Sequence, residues 1–496
     1  MLIALVVLPF AAALVSWFIP SNIARRGLLV CVALAELCLA LSCWVVQPKE
    51  LGSGILCLDA MGRLVLTLTC TLFFAASVYA VGYLKEEKRG VRKDFHQGLH
   101  FTNAPEATFV GCLLLFLAAA VLSACTRHFG LLWVGIETTT IVSAPLIYFH
   151  RHRRSLEATW KYLLICSVGI AFALIGNLLL DVSMHTQGHT ATGMSVDALS
   201  LDAAERLHPA LFKAAFVFLL VGYGTKMGVA PMHTWLPDAH SEAPSLVSAL
   251  LSGALLNCAF LGVFRAHEVA VAVGMADFAS TLLMAFGFLS MLVAALFIMN
   301  LGDYKRMLAY SSVEHMGILL IALGVGLEAA RGGVLHMMGH SLVKAALFFL
   351  SGNILARYHT KSSHDVTGMA RVLPVTSALW MAGIIAITGS PPFILFLSEF
   401  SVLQGLIHAG KLPAAVFFLF LLGVIFVGML TPSLRMCRGK PPHGVLPVGK
   451  EYPLMVLPSA CLLLLALALG LFMPGWLDDA LSLAIMDRGL MGVPYE

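Results

Sequence analysis

The chain has 496 residues, 59% of them hydrophobic and only 12% charged, with a mean hydropathy of +0.90 and a formal net charge of +4. That composition leaves too little polar surface for a soluble protein of this size, and apolar runs of membrane-spanning length recur from end to end. The sequence therefore predicts an all-α polytopic membrane protein, with no feature that points to nucleic acid.

Hydropathy predicts about fourteen spans. The first, MLIALVVLPFAAALVSWFIP, lacks a basic leader and a small-residue cleavage site, so it is expected to be a membrane helix and not a removed signal. Spans two to four are expected near 27–46, 62–83 and 107–125. The fifth, near 129–149, carries Glu137 at its middle, and the sixth runs near 157–180. The seventh, near 211–230, carries Lys226 and runs into GVAPMHTWLPDAHSEAPS, where Pro231, Pro237 and Pro244 are expected to break the helix. The eighth to eleventh follow near 246–264, 278–300, 306–326 and 332–356. The twelfth stretch, 373–408, is too long for one straight span and contains GSPPF, so it too is expected to be a broken helix. The last two lie near 412–434 and 453–473.

Loops after odd-numbered spans hold most of the basic residues, among them Lys88, Arg89, Arg153, Arg154, Lys305, Arg306, Arg357, Lys361 and Lys450. Loops after even spans have isolated examples such as Arg127, Arg206 and Arg265. The positive-inside rule then places the odd loops in the cytoplasm and both termini outside, which suits a tail with Asp478, Asp479 and Asp487. LIGNLLL at 174–180 resembles FLSGNILA at 349–356, and Glu137 and Glu314 occupy nearly the same offset in their halves. With a break in each half, these matches predict two five-helix repeats of inverted topology, a transporter architecture. The expected division is 1–106, three N-terminal helices; 107–264, the first repeat; 265–436, the second; and 437–496, a last helix and tail.

A charge at a helix centre in hydrocarbon costs at least ~2.5 kcal/mol, so intramembrane ionisable residues are functional candidates. Glu137 and Lys226 suit a proton site in which a carboxylate alters the lysine's proton affinity; the plainer alternative is a structural ion pair. His336, His340 and Lys344 follow one another at i, i+4 and i+8 and would line one helix face as a relay. Satisfied core histidines, or a zinc pair, are the alternatives; the lysine argues against a cation. Glu399, just past the second break, suits a pathway exit or a solvated helix end. Glu314 and His315 are further polar candidates, with Ser311, Ser312 and Thr138 to Thr140 placed to hold water. His233, Asp238, His240 and Glu242 gather at the first break as a proton mouth or as caps. The eleven cysteines show no C-x-x-C pair, and eight, including Cys31, Cys38 and Cys461, fall in apolar helices as expected core residues. No phosphate-binding glycine loop appears, so no redox cofactor or metal is expected on this chain.

The segments GVAPMHTWLPDAHSEAPSLVSALLSG, LGDYKRMLAYSSVEHMGILLIALG and HMMGHSLVKAALFFLSGNI resemble the antiporter-like membrane subunits of respiratory complex I, Mrp sodium/proton antiporters and group 4 membrane-bound hydrogenases. The resemblance covers about residues 60–435. It implies a fourteen-helix fold with a polar axis along the membrane centre, on which Glu137, Lys226, His336, His340, Lys344 and Glu399 match the family's titratable positions. At the eighth-helix position where many members carry lysine or histidine, this chain has Asn257, which cannot titrate. WVGIETTTIVSAPLIYFHRH and GSPPFILFLSEF look most like the F-type subunits of hydrogenase 4, with M-type or N-type complex I subunits and Mrp antiporter subunits as alternatives. The resemblance implies a prokaryotic inner membrane location and sister membrane subunits as partners. It also implies peripheral hydrogenase subunits that hold the nickel–iron centre and iron–sulfur clusters.

Overall fold

The structure is a computed structural model, and it describes residues 1–52, 54–87, 91–93, 100–185, 194–197, 199, 208–445 and 451–486. Lys88, Arg89, Arg206, Lys450 and Asp487 lie outside the described residues.

The first four helices are α1 (Leu2–Phe18), α2 (Asn22–Val45), α3 (Ala60–Glu86) and α4 (Glu106–Ala124), and α5 (Phe129–Ile147) and α6 (Arg153–His185) follow. A short hairpin, Val91–Lys93 with His100–Thr102, lies between α3 and α4 and has no signal in the hydropathy. Helix starts follow ordinary capping chemistry. The Asp59 carboxylate accepts from the Gly62 N–H at 2.9 Å, and the Asp303 carboxylate accepts from the N–H groups of Lys305 and Arg306 at 2.8 and 3.0 Å.

The first expected break is present. Helix α7 (Pro209–Met227) ends one residue after Lys226, and Gly228 closes it with φ of +79°, a left-handed conformation that glycine adopts freely. Leu236 lies so close to the Gly228 Cα that a side chain there would collide with it. The chain resumes as the short α8 (Trp235–Glu242). Next comes α9 (Ser245–Ala272), interrupted by a π turn over Leu251–Leu255 just before Asn257. After α10 (Ala276–Ile298), α11 (Tyr304–Val325) and α12 (Leu327–Tyr358), the second break separates α13 (Pro374–Ile387) from α14 (Ile394–His408). Here Gly389 has φ of +65° and its Cα faces the Glu399 carboxylate. The last helices are α15 (Leu412–Cys437), α16 (Pro453–Leu471) and α17 (Gly475–Met486). The hydropathy did not anticipate α17, whose Asp478 pairs with Arg331 at the start of α12.

Twelve helices among the described residues are long and apolar enough to cross a membrane. With α1, and with α13 and α14 taken as one crossing, there are fourteen candidate crossings. Helices α9, α11 and α12 are almost wholly buried, whereas α2, α6, α10, α15 and α16 bury only 33–39% of their apolar windows. The buried three form the centre of the molecule. That burial pattern puts the polar residues of α9, α11 and α12 where neither lipid nor bulk water reaches them.

Two of the isolated basic residues are not solvated loop charges. Arg127 and Arg265 are 3% and 0% exposed and form one network with Asp59, Asp197 and Glu268. Arg265 donates to Asp59 at 2.7 Å and to Glu268 at 3.1 Å, and Arg127 donates to Asp59 at 2.6 Å. The cysteine expectation is also corrected. Cys43, Cys70, Cys112, Cys166 and Cys258 are buried, but Cys31, Cys38 and Cys461 lie on outward helix faces and are exposed.

Candidate functional site: a line of buried ionisable side chains

Lys226 is fully buried in the last turn of α7. Its ammonium donates to Thr140 Oγ1 of α5 at 2.6 Å and to the Tyr162 hydroxyl of α6 at 2.7 Å, and it lies 4.6 Å from the Tyr162 ring centroid. Tyr162 in turn shares a 2.6 Å hydrogen bond with Ser143, one turn along α5 from Thr140. Glu137, on the same face of α5, is within electrostatic reach of Lys226, yet the two form no direct ion pair, and Glu137 Oε2 has no partner among the described residues. The simple structural ion pair is therefore not what this geometry presents. The lysine rests on neutral hydroxyls with a carboxylate nearby. Thr138 and Thr139 donate to carbonyls of their own helix. Only Thr140 of the three meets the lysine.

The second half is arranged similarly. Lys344 of α12 is fully buried and donates to the Leu308 carbonyl and to Ser311 Oγ of α11. Glu314, 3% exposed, is within electrostatic reach of Lys344, and Glu399 lies within reach of Glu314. His336 bridges three helices: its Nε2 meets Nδ1 of His315 (α11) at 2.9 Å, and its Nδ1 meets Ser398 Oγ (α14) at 2.9 Å. The His340 ring centroid is 5.0 Å from that of His315, and neither His340 nitrogen has a partner among the described residues. A satisfied core histidine does not describe it.

Between the halves sits Asn257. Its amide donates to the Gly253 carbonyl in the π turn at 2.6 Å and to Ser341 Oγ of α12 at 2.8 Å, while its carbonyl oxygen has no partner among the described residues. Its neighbour Cys258 is within electrostatic reach of Lys226, and Ser341 adjoins His340 in α12. The π turn adds a residue to the helix and aims the amide across to α12.

The cluster expected at the first break divides into separate contacts. Asp238 pairs with Lys161 and Arg306 at 2.9 and 2.6 Å, and Glu242 pairs with Lys361 at 2.9 Å. His233 meets the Tyr310 ring edge. His240 stacks on Phe348 with centroids 5.1 Å apart and faces inward, within reach of Lys344 and Lys305. His240 thus belongs to the line, and the two acids belong to the rim. As for metal, the group of three among the described residues able to hold an ion is His315, His336 and Glu399, whose ligand atoms lie within 4.8 Å of one another.

Sequence reasoning missed Tyr162, Ser341 and Ser398, the hydroxyls that connect the charged residues; nothing in their own sequence context marks them. Tyr162→Phe removes one of the two acceptors of a buried ammonium, an interaction to a charged group that contributes about 1.5–3 kcal/mol. The variant chain is expected to accumulate in membranes but to unfold at a lower temperature than the wild type, read by thermal unfolding of the purified protein.

One helix broken beside a buried lysine and a second broken beside a buried glutamate, in one membrane chain, define an antiporter-like membrane subunit. The family model for the transmembrane region of NADH:quinone oxidoreductase and Mrp antiporter proteins matches residues 126–425, and the chain belongs to that family. A hydrogenase-4 component F homolog of Methylacidiphilum infernorum is 38% identical over 355 residues, covering 71% of this chain and 73% of that one. An NAD(P)H-quinone oxidoreductase chain 4 of Picosynechococcus is 31% identical over 379 residues, 73% of this chain and 68% of that one. A chain of the Mrp complex from Dietzia superposes over 98% of this chain and 96% of its own length with a TM-score of 0.82 at 20% identity, a likeness of fold.

Proposed function

We propose that the chain is the proton-translocating, antiporter-like membrane subunit of a multi-subunit oxidoreductase of the hydrogenase 4 or formate-hydrogenlyase type. What supports this reading best is the line of side chains from the half-buried Glu137 through the buried Lys226, Asn257, Ser341, His340 and Lys344 to His336, His315 and Glu399. Lys226 rests on two hydroxyls and Lys344 on a hydroxyl and a backbone carbonyl, so each can release its proton without stranding an ion-paired carboxylate, and each has a carboxyl group within electrostatic reach to alter its affinity. Asn257 passes the connection as a hydrogen bond and not as a charge. The two halves, 107–264 and 265–436, are read as inverted repeats between the N-terminal helices 1–106 and the C-terminal part 437–496. Electron transfer takes place in partner subunits, which carry the nickel–iron centre and iron–sulfur clusters. The complex sits in the prokaryotic cytoplasmic membrane, with both termini of this chain outside.

The test is to purify the chain with its native partners, identify them by mass, and reconstitute the complex in liposomes. Electron donor is expected to drive proton movement, and the partners are expected to include a nickel–iron hydrogenase large subunit. Quinone-oxidoreductase partners instead would favour a membrane subunit of that complex, a reading supported by the 31% identity to its chain 4. A sodium gradient that moves protons at full rate without electron donor would replace both readings with an Mrp-type antiporter.

A further inference from the structure

The central line does not use every buried charge. Glu36 lies in α2, in the run LLVCVALAELCLALS, about fourteen residues from the start of a 24-residue helix. It is 0% exposed, and neither carboxyl oxygen has a hydrogen-bond partner among the described residues. It also stands outside the 126–425 region that defines the family.

Among the described residues, the surroundings offer no compensating charge. Helix α2 packs on α1, α3 and α4, and α1 has no ionisable side chain. The groups within electrostatic reach of Glu36 are the thiols of Cys43 on its own helix, Cys70 on α3 and Cys125 at the end of α4. Arg63 and the N-terminal amino group reach Cys43 and not the carboxyl. A carboxylate stripped of water and of partners costs several kcal/mol, whereas the neutral acid costs about 1–3 kcal/mol for its unmade hydrogen bonds. A purely structural role has no contact to act through.

We propose that Glu36 is a proton-binding site in its own right, a carboxyl that carries its proton in the resting protein and stands apart from the central line. It gives up that proton only when α2 and α3 separate enough to admit water. Helix α3 borders both regions. Its Cys70 faces the carboxyl's surroundings, and two residues on, Leu72 packs against Gly253 of the π turn that leads to Asn257.

Infrared spectroscopy of the intact complex tests this. The wild type is expected to show one protonated-carboxyl C=O band per chain that is lost in Glu36→Gln, and the band is expected to change when turnover is started with electron donor. No difference between wild type and Glu36→Gln in that region overturns the proposal, because the carboxyl is then ionised. Should the variant fail to assemble, labelling of the wild type with dicyclohexylcarbodiimide decides. The carboxyl oxygen adds to the carbodiimide carbon, the acid proton passes to a carbodiimide nitrogen, and acyl migration leaves a stable N-acylurea. That adduct, one carbodiimide in mass, is expected on the Glu36 peptide; its absence overturns the proposal.

Discussion

Lys226→Met is expected to abolish proton translocation, lowering its rate by at least ~100-fold, while the complex still assembles. Methionine keeps the length and volume of the stem but removes the ammonium and its three donors. The acceptors left behind, Thr140 and Tyr162, are hydroxyls that can turn toward Ser143 or toward each other, so no buried charge is stranded and the fold should hold. The informative companion is Lys226→Arg. Arginine keeps the charge and the donors but does not lose its proton in a protein. If Lys226 only holds α5 and α6 to α7, arginine should restore much of the activity. If the lysine must alternately hold and release a proton, arginine should be as inactive as methionine. The second outcome is expected, measured as protons moved per electron transferred in liposomes. Recovery of half the wild-type ratio by arginine would reduce Lys226 to a structural residue.

What the sequence disclosed and what it hid have different physical causes. Glu137, Lys226, Lys344 and Glu399 were visible because an ionisable group in an apolar run is expensive wherever the helix packs. The breaks were visible because Pro231 and the Pro391–Pro392 pair stand just after Gly228 and Gly389, whereas lone prolines such as Pro9 and Pro432 are carried inside continuous helices. The hydroxyls on Lys226, Asn257 and His336 were not visible, since Tyr162, Ser341 and Ser398 are ordinary residues in helices and gain meaning only from a neighbour distant in the chain. The pairing of His336 with His315 was hidden for the same reason. The i, i+4 spacing along α12 is legible, but the helix that faces it is not. The π turn over Leu251–Leu255 leaves no trace in LSGAL, yet it decides where Asn257 points. Glu36 obeys the rule that exposed Glu137, but the basic residues of its helix, Arg25 and Arg26, lie in the first turn, far from it, and no proline draws attention to it.

Arg265 shows the converse error, a basic residue near the end of a span that reads as a loop charge and is in fact enclosed. Arg265→Ala is expected to prevent stable accumulation of the chain. Removing the guanidinium leaves Asp59 and Glu268 facing each other in a buried site, with Arg127 as their remaining cation. Breaking a buried pair in this way costs about 3–5 kcal/mol, a large share of any domain's stability. Thermal unfolding of the purified complex, or the amount of chain retained in membranes, reads the effect. Asp59→Asn combined with Arg265→Gln should recover part of the loss, because the stranded charge goes with its partner. The pH dependence has a definite sign. Burial alone would raise the Asp59 carboxyl, but the guanidinium of Arg265, then Arg127 and the Gly62 N–H, outweigh it and hold the group well below the usual carboxylate range. A carboxyl depressed on folding contributes stability that is complete above its unfolded value, about 4, and is lost only as pH falls through the folded one. The wild-type contribution should therefore be flat from about pH 8 to about pH 5, and Lys226 variants, which touch no part of this network, should show the same flat profile. Stability that tracks Arg265 and proton movement that tracks Lys226 would separate the charges that hold the bundle together from those that work inside it.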